Sequence, residues 1–66
     1  MSNKITDYYM GDKIKVVDVD GNAYYGIASA ILWEDETDGE ATLALDVGDR
    51  EIGFEQSDIA EIEKVE

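Results

Sequence analysis

The sequence predicts an all-β domain, a small antiparallel barrel of about five strands. Three observations carry that expectation. Apolar residues recur two apart in several short runs, which is the period of a half-buried strand. Turn-forming residues, at Gly11-Asp12, Asp20-Gly21-Asn22, Gly39 and Gly48-Asp49, separate those runs. No proline interrupts any of them, as hydrogen-bonded ladders require.

Met1 to Met10 is polar and then aromatic, and Asp7-Tyr8-Tyr9-Met10 reads as either a short helical turn or an edge segment covering one end of the barrel. The first strand spans about 13 to 19. Ile14 and Val16 alternate with Lys13 and Lys15, and Val17 and Val19 then place apolar groups on the opposite face. Either the strand bulges near Val16-Val17 or both faces are partly covered. Asp20-Gly21-Asn22 tolerates the positive φ of a tight hairpin turn. The return strand, about 23 to 33, is long and rich in β-formers. Gly26 within it marks a sharp bend or a close backbone approach.

Glu34 to Glu40 is a self-repelling charged loop. Strand three runs from Ala41 to Val47, with Leu43, Leu45 and Val47 on one face. Strand four, Arg50 to Glu55, points Ile52 and Phe54 inward. The tail has two readings. Ser57 or Asp58 with Glu61 resembles a helix capping box, ahead of Ile59, Ile62 and Val65. Alternatively, Gln56-Ser57-Asp58 is one 3₁₀ turn before a last strand, Ile59 to Val65. Four acids in nine residues disfavour the helix, and a closing strand would remove an exposed sheet edge.

The totals bound the function. At 66 residues the chain is expected to form one domain, 1–66. A domain this small buries only about 60% of its unfolded surface, which leaves no room for a deep cleft. There is no cysteine and no histidine, hence no disulfide, no thiolate or imidazole ligand and no histidine-based triad. No N-terminal apolar region resembles a signal peptide, and no apolar run reaches the ~20 residues that span a bilayer. The expectation is a cytoplasmic protein without a membrane partner. Seventeen acidic residues against five basic ones give a net charge of −12. Binding to a phosphate backbone gains from lysine and arginine, so nucleic acid is disfavoured and a basic protein partner favoured.

The order Gly11-Asp12, Lys13-Ile14-Lys15-Val16, Asp20-Gly21, Tyr24-Tyr25-Gly26-Ile27, an acidic loop, Leu43-Ala44-Leu45, Ile52-Gly53-Phe54 and Ser57-Asp58-Ile59-Ala60-Glu61-Ile62 resembles the small SH3-like barrels of the Sm-like superfamily. That superfamily includes the C-terminal barrel of bacterial ribosome maturation factors and many short bacterial proteins. The resemblance covers residues 11–65. It implies a strongly bent second strand at Tyr24-Tyr25-Gly26 and a chain return at Asp58-Ile59 for the last strand. RNA-binding members typically carry an Arg-Gly or Lys-His pair after strand four, beside the bound base. The corresponding stretch here is Glu55-Gln56-Ser57-Asp58, which has no cation. An acidic Sm-like type that inhibits the Rho terminator by occupying a basic nucleic-acid site is similar in class and charge.

Candidate chemistry is sparse. Asp18-Val19-Asp20-Gly21-Asn22 has the spacing that opens an EF-hand loop, but Ala23 and Ser29 stand where its glycine and bidentate glutamate belong. A hairpin turn is the expected reading, and the carboxylates of Glu34 to Glu40 could hold Ca²⁺ or Mg²⁺ only loosely, with no specific site expected there. Proximity among many carboxylates means little without a cleft to raise one pKa. Ser29, Ser57 and the threonines have no base to activate them. No catalytic residue, metal site or cofactor is therefore expected. Of Tyr24 and Tyr25, one should join Phe54 in the core and the other point outward. The candidate protein-binding surface is Tyr25, Trp33, Asp35, Glu36, Asp38 and Glu40. The expected function is a non-catalytic acidic protein-interaction module. The alternatives are an acidic nucleic-acid mimic occupying a partner's basic site, and an Sm-like RNA-associated protein. Pairing between copies, through sheet edges or the apolar run at 23–33, is a further expectation.

Overall fold

The computed structural model describes residues 4–37 and 39–65, excepting the side chains of 36 and 37. Five strands form one antiparallel sheet: β1 (Lys13–Asp18), β2 (Ala23–Leu32), β3 (Thr42–Asp46), β4 (Glu51–Glu55) and β5 (Ile59–Lys64). Their spatial order is β4-β3-β2-β1-β5. A 3₁₀ turn, Ile5–Asp7, precedes β1, and a second, Gln56–Asp58, joins β4 to β5. The all-β expectation holds, and the tail is a strand.

That order forces the sheet to curl. β4 and β5 lie at opposite ends of it, yet only three residues connect them. Laid flat, five strands would put those ends roughly 19 Å apart, at about 4.8 Å per neighbour. A connection this short spans at most about 14 Å. The molecule is accordingly compact in every direction, 28 × 22 × 22 Å. The sheet is nonetheless open, because no ladder joins β4 to β5. The expected closure by the last strand does not occur, since β5 pairs with β1 instead.

Each strand obeys the period-2 rule with local exceptions. In β1, Ile14 and Val16 are fully buried while the side chains of Lys13 and Lys15 face out. The anticipated irregularity falls one residue later than expected, between Val17 and Asp18, where the β1–β5 register shifts. The β1–β2 turn is closed by Asp18 N–H donating to the Asn22 carbonyl at 2.9 Å and by Gly21 N–H donating to the Asp18 carbonyl at 3.0 Å. Gly21 sits at φ 90°, the conformation that three-residue hairpin loops ask of their last residue.

In β2, Ala28 pairs with Leu45 but Ala30 with Ala44, so Ser29 is an extra residue. Its hydroxyl donates to the Ala44 carbonyl at 3.1 Å. This bulge changes the parity of the strand. Before it, Tyr24 and Ala28 point inward and Tyr25 and Ile27 outward. After it, Ile31 packs against the core and Leu32 is exposed.

The core contains Ile5, Ile14, Val16, Ala28, Ala41, Leu43, Leu45, Phe54, Ile59 and Ile62, with Tyr24, Val47 and Ile52 half-buried against it. Ile5 is brought in by the first 3₁₀ turn, where its N–H donates to Gln56 Oε1 at 2.8 Å. That turn begins upstream of the expected Asp7-to-Met10 stretch and overlaps it only at Asp7. The capping box is also displaced from the expected one. Glu55 N–H donates to Asp58 Oδ2 at 3.1 Å, and Asp58 N–H to the Glu55 carboxylate, so the box closes a 3₁₀ turn instead of starting a helix. The expected charged loop opens with a single helical turn, α1 (Glu34–Thr37).

Candidate functional site

The site is built on the outer face of β1, β2 and β5. Alternation places Lys13, Lys15, Tyr25, Ile27 and Glu63 there, and the ladder registers set them side by side. Lys15 lies opposite Tyr25 on one side and Glu63 on the other. Lys13 lies opposite Ile27. Tyr25 is 60% exposed and Ile27 44%, large values for groups that solvent disfavours. The Lys15 ammonium sits 5.8 Å from the centre of the Tyr25 ring, within cation–π range. It also approaches Glu63 at 4.0 Å. A shallow depression of about 240 Å³ lies here, lined by Lys13, Ile14, Tyr25, Gly26, Ile27 and Val65.

The same row continues onto β3 and β4 with opposite charge. Ile27 faces Asp46, and Asp46 faces Glu51. Like charges directly opposite each other weaken a sheet. Asp49 and Glu55 are exposed on the same hairpin. The outer surface therefore grades from lysines at β1, through Tyr25 and Ile27, to carboxylates at β3 and β4.

The candidate surface read from sequence is divided by this geometry. Tyr25 stands near the hairpin end of β2. Trp33 follows the other end of that strand, 53% exposed. Asp35 is exposed on α1. Glu40 is exposed but structurally engaged, its carboxylate accepting from Ser57 N–H at 2.6 Å and the Ser57 hydroxyl at 3.0 Å. Asp38 and the side chain of Glu36 lie outside the described residues. Ile27, Lys13 and Lys15 join Tyr25 without having been singled out. The signal was present, since 25 and 27 have one parity, but the partner across the ladder needed the register.

The other candidate positions have local explanations. The Asp18 carboxylate accepts from Asp20 N–H at 3.0 Å and Asn22 N–H at 2.9 Å, which makes it the clasp of the hairpin turn. Those bonds, with the one from Asn22 N–H foremost, hold its pKa below the usual value of 3.8. A depressed pKa adds stability that is present above the unfolded value and lost as pH falls through the folded one. The difference in melting temperature between wild type and Asp18→Asn is thus expected to shrink as pH drops from neutrality to below 3.8. Thermal melts across that range check it, and a pH-independent difference would contradict it.

The Tyr8 hydroxyl donates to the Ile62 carbonyl at 3.0 Å. Burial, then the charges of Asp7 and Glu63, push its pKa up, which keeps the donor protonated. Among the described residues no three acidic side chains converge as a metal site would need. No described helix is long and apolar enough to cross a membrane. No family model, curated protein or solved structure matches the chain.

Proposed function

We propose that this chain is a non-catalytic protein-interaction module on an SH3-like, Sm-like barrel scaffold, and that Tyr25 and Ile27 anchor its partner. The strand order, the bulged β2 and the 3₁₀ turn between β4 and β5 support the scaffold. The observation that carries the functional reading is the pair of exposed apolar groups on the outer sheet face, between lysines and carboxylates. Aromatic anchors with a charged rim are the usual centre of a protein interface. The partner is a basic protein, because charge complementarity to a net −12 surface speeds encounter and selects against acidic competitors.

A second reading, an acidic decoy filling a basic nucleic-acid-binding site, draws on Asp46, Asp49, Glu51 and Glu55 at the β3–β4 hairpin. It predicts strongly salt-dependent binding, whereas an anchor-led interface retains more of its affinity in salt.

Affinity capture from a lysate of the source organism, with wild type and a Tyr25→Ala/Ile27→Ala double variant, tests the leading reading. Retention of a protein by wild type and its loss in the variant, with at least about tenfold weaker binding on titration, is the expected result. Equal capture by both, or retention of a short RNA in place of a protein, would overturn it.

A further inference from the structure

The two edges of the sheet are not equivalent. Val65 N–H donates to the Lys13 carbonyl at 2.8 Å, so residues 61, 63 and 65 bond toward β1 and residue 62 turns its backbone groups away from β1. There the Tyr8 hydroxyl occupies the Ile62 carbonyl. On β4 the same bookkeeping runs from Val47 N–H to the Arg50 carbonyl and from Gln56 N–H to the Ala41 carbonyl. Residues 52 and 54 then bond toward β3, and residues 51, 53 and 55 face outward. The Glu55 N–H is taken by Asp58. Among the described residues nothing meets the N–H and C=O groups of Glu51 and Gly53 from that side.

An unpaired edge is usually protected by shortness, charged side chains, proline, a bulge or a covering segment. β4 is short and carries Glu51 and Glu55, but among the described residues no proline, bulge or covering segment shields it. It carries Glu51, Gly53 and Glu55 on the outer face, all exposed, and half-buried Ile52 with buried Phe54 on the inner one. A Cβ added at Gly53 would meet nothing within 4 Å, so the outer face of the sheet is open beside the edge.

We propose that the free edge of β4 accepts an extended segment of the basic partner as an added strand, with lysine or arginine alternating with β-branched apolar residues. Main-chain hydrogen bonds to Glu51 and Gly53 supply the pairing, as in other cases of strand addition. Cations on the outer face of the incoming strand meet Glu51, Glu55 and, behind them, Asp46. Its apolar residues extend the face of Ile52. A second copy of this chain fits less well, because β4 and β5 both present glutamates and each molecule carries −12. The inference deepens the interaction-module reading and rests on it for the nature of the partner.

The probe is acetyl-KVKVKVK-amide, titrated into the full chain and followed by amide hydrogen exchange and NMR shifts. Two further peptides, N-methylated on either the lysine or the valine residues, keep the charge and remove alternate N–H donors. Strand addition predicts new protection at the Glu51 and Gly53 amides and binding by only one of the two methylated peptides. Glu51→Lys should weaken binding about tenfold more than Glu61→Lys, which changes the net charge equally but lies on β5. No binding, equal binding of both methylated peptides, equal effects of the two charge reversals, or protection on β5 instead would each overturn the inference. Docking of the peptide on β4 upholds the edge assignment even if lysate capture is unaffected by Tyr25→Ala/Ile27→Ala. Capture that depends on those residues, with Glu51 and Gly53 unprotected, sinks the edge assignment alone.

Discussion

Gly26→Ala is expected to abolish most of the folding stability. Gly26 lies opposite Ile14 on β1, and the end of β3 approaches its backbone too closely to leave room for a side chain. An added Cβ would collide with the carbonyl oxygen of Asp46, lie 2.8 Å from its carbonyl carbon and press on the Leu45 side chain at 3.0 Å. Two of those three atoms are backbone and cannot rotate away. Overpacking typically costs about 1–3 kcal/mol, and a backbone collision belongs at or above the upper end. A domain of this length has only about 3–10 kcal/mol of stability in total. Urea denaturation should show a midpoint shifted far down or no cooperative transition at all. Gly53→Ala is the control. The space around Gly53 is open, so relief of the glycine's unfolded-state entropy should leave stability unchanged or raise it by about 0.5–1 kcal/mol. Equal midpoints for the two variants would mean that β2 and β3 do not approach each other as described.

Phe54→Ala is the second large effect, at about 3–5 kcal/mol. Phe54 is the buried residue of β4 and meets Tyr24 with ring centroids 5.4 Å apart and planes inclined by 60°. Such a tilted pair adds about 0.5–1.5 kcal/mol beyond the area it buries. The substitution removes both the volume and the ring partner, and no other β4 side chain is fully buried. A double-mutant cycle with Tyr24→Leu separates the ring–ring coupling from the cavity. A total loss under about 1 kcal/mol would show that the site collapses or hydrates freely. Because Phe54 fixes β4 against the core, the variant should also lose the protection that β4 amides gain from β3.

Much of the fold was legible because period-2 patterning is a local property. Ile14 and Val16, Leu43 and Leu45, and Ile52 and Phe54 each signal their inward face within a few residues. The glycines at 11, 21 and 48 adopt the positive φ that turns demand, so turn placement was legible too. The tail resolved as a strand, and the choice of Tyr24 over Tyr25 for the core needed the observed packing. The bulge at Ser29 left no sequence signature, because its cause is the register of β3 against β2. Sheet closure was anticipated and did not form. The Tyr8 hydroxyl occupies the outward carbonyl of Ile62, a contact between positions 54 residues apart that no local pattern encodes.

The candidate site divides along the same line. Exposure of one tyrosine follows from alternation alone, and Ile27 becomes its companion once the packing assigns Tyr25 to the outer face. The lysines beside them, the carboxylates facing each other at Asp46 and Glu51, and the separation of Trp33 from Tyr25 do not.

What the amino-acid order determined by itself was the set of strands, their inward residues, their turns and a strongly negative exterior. What only the tertiary structure decided was which strands became neighbours, which edge stayed uncovered and which side chains met across ladders. The reason is physical: alternation and turn preference act over a few bonds, whereas strand neighbours and register are chosen by the lowest free energy of the whole curled sheet.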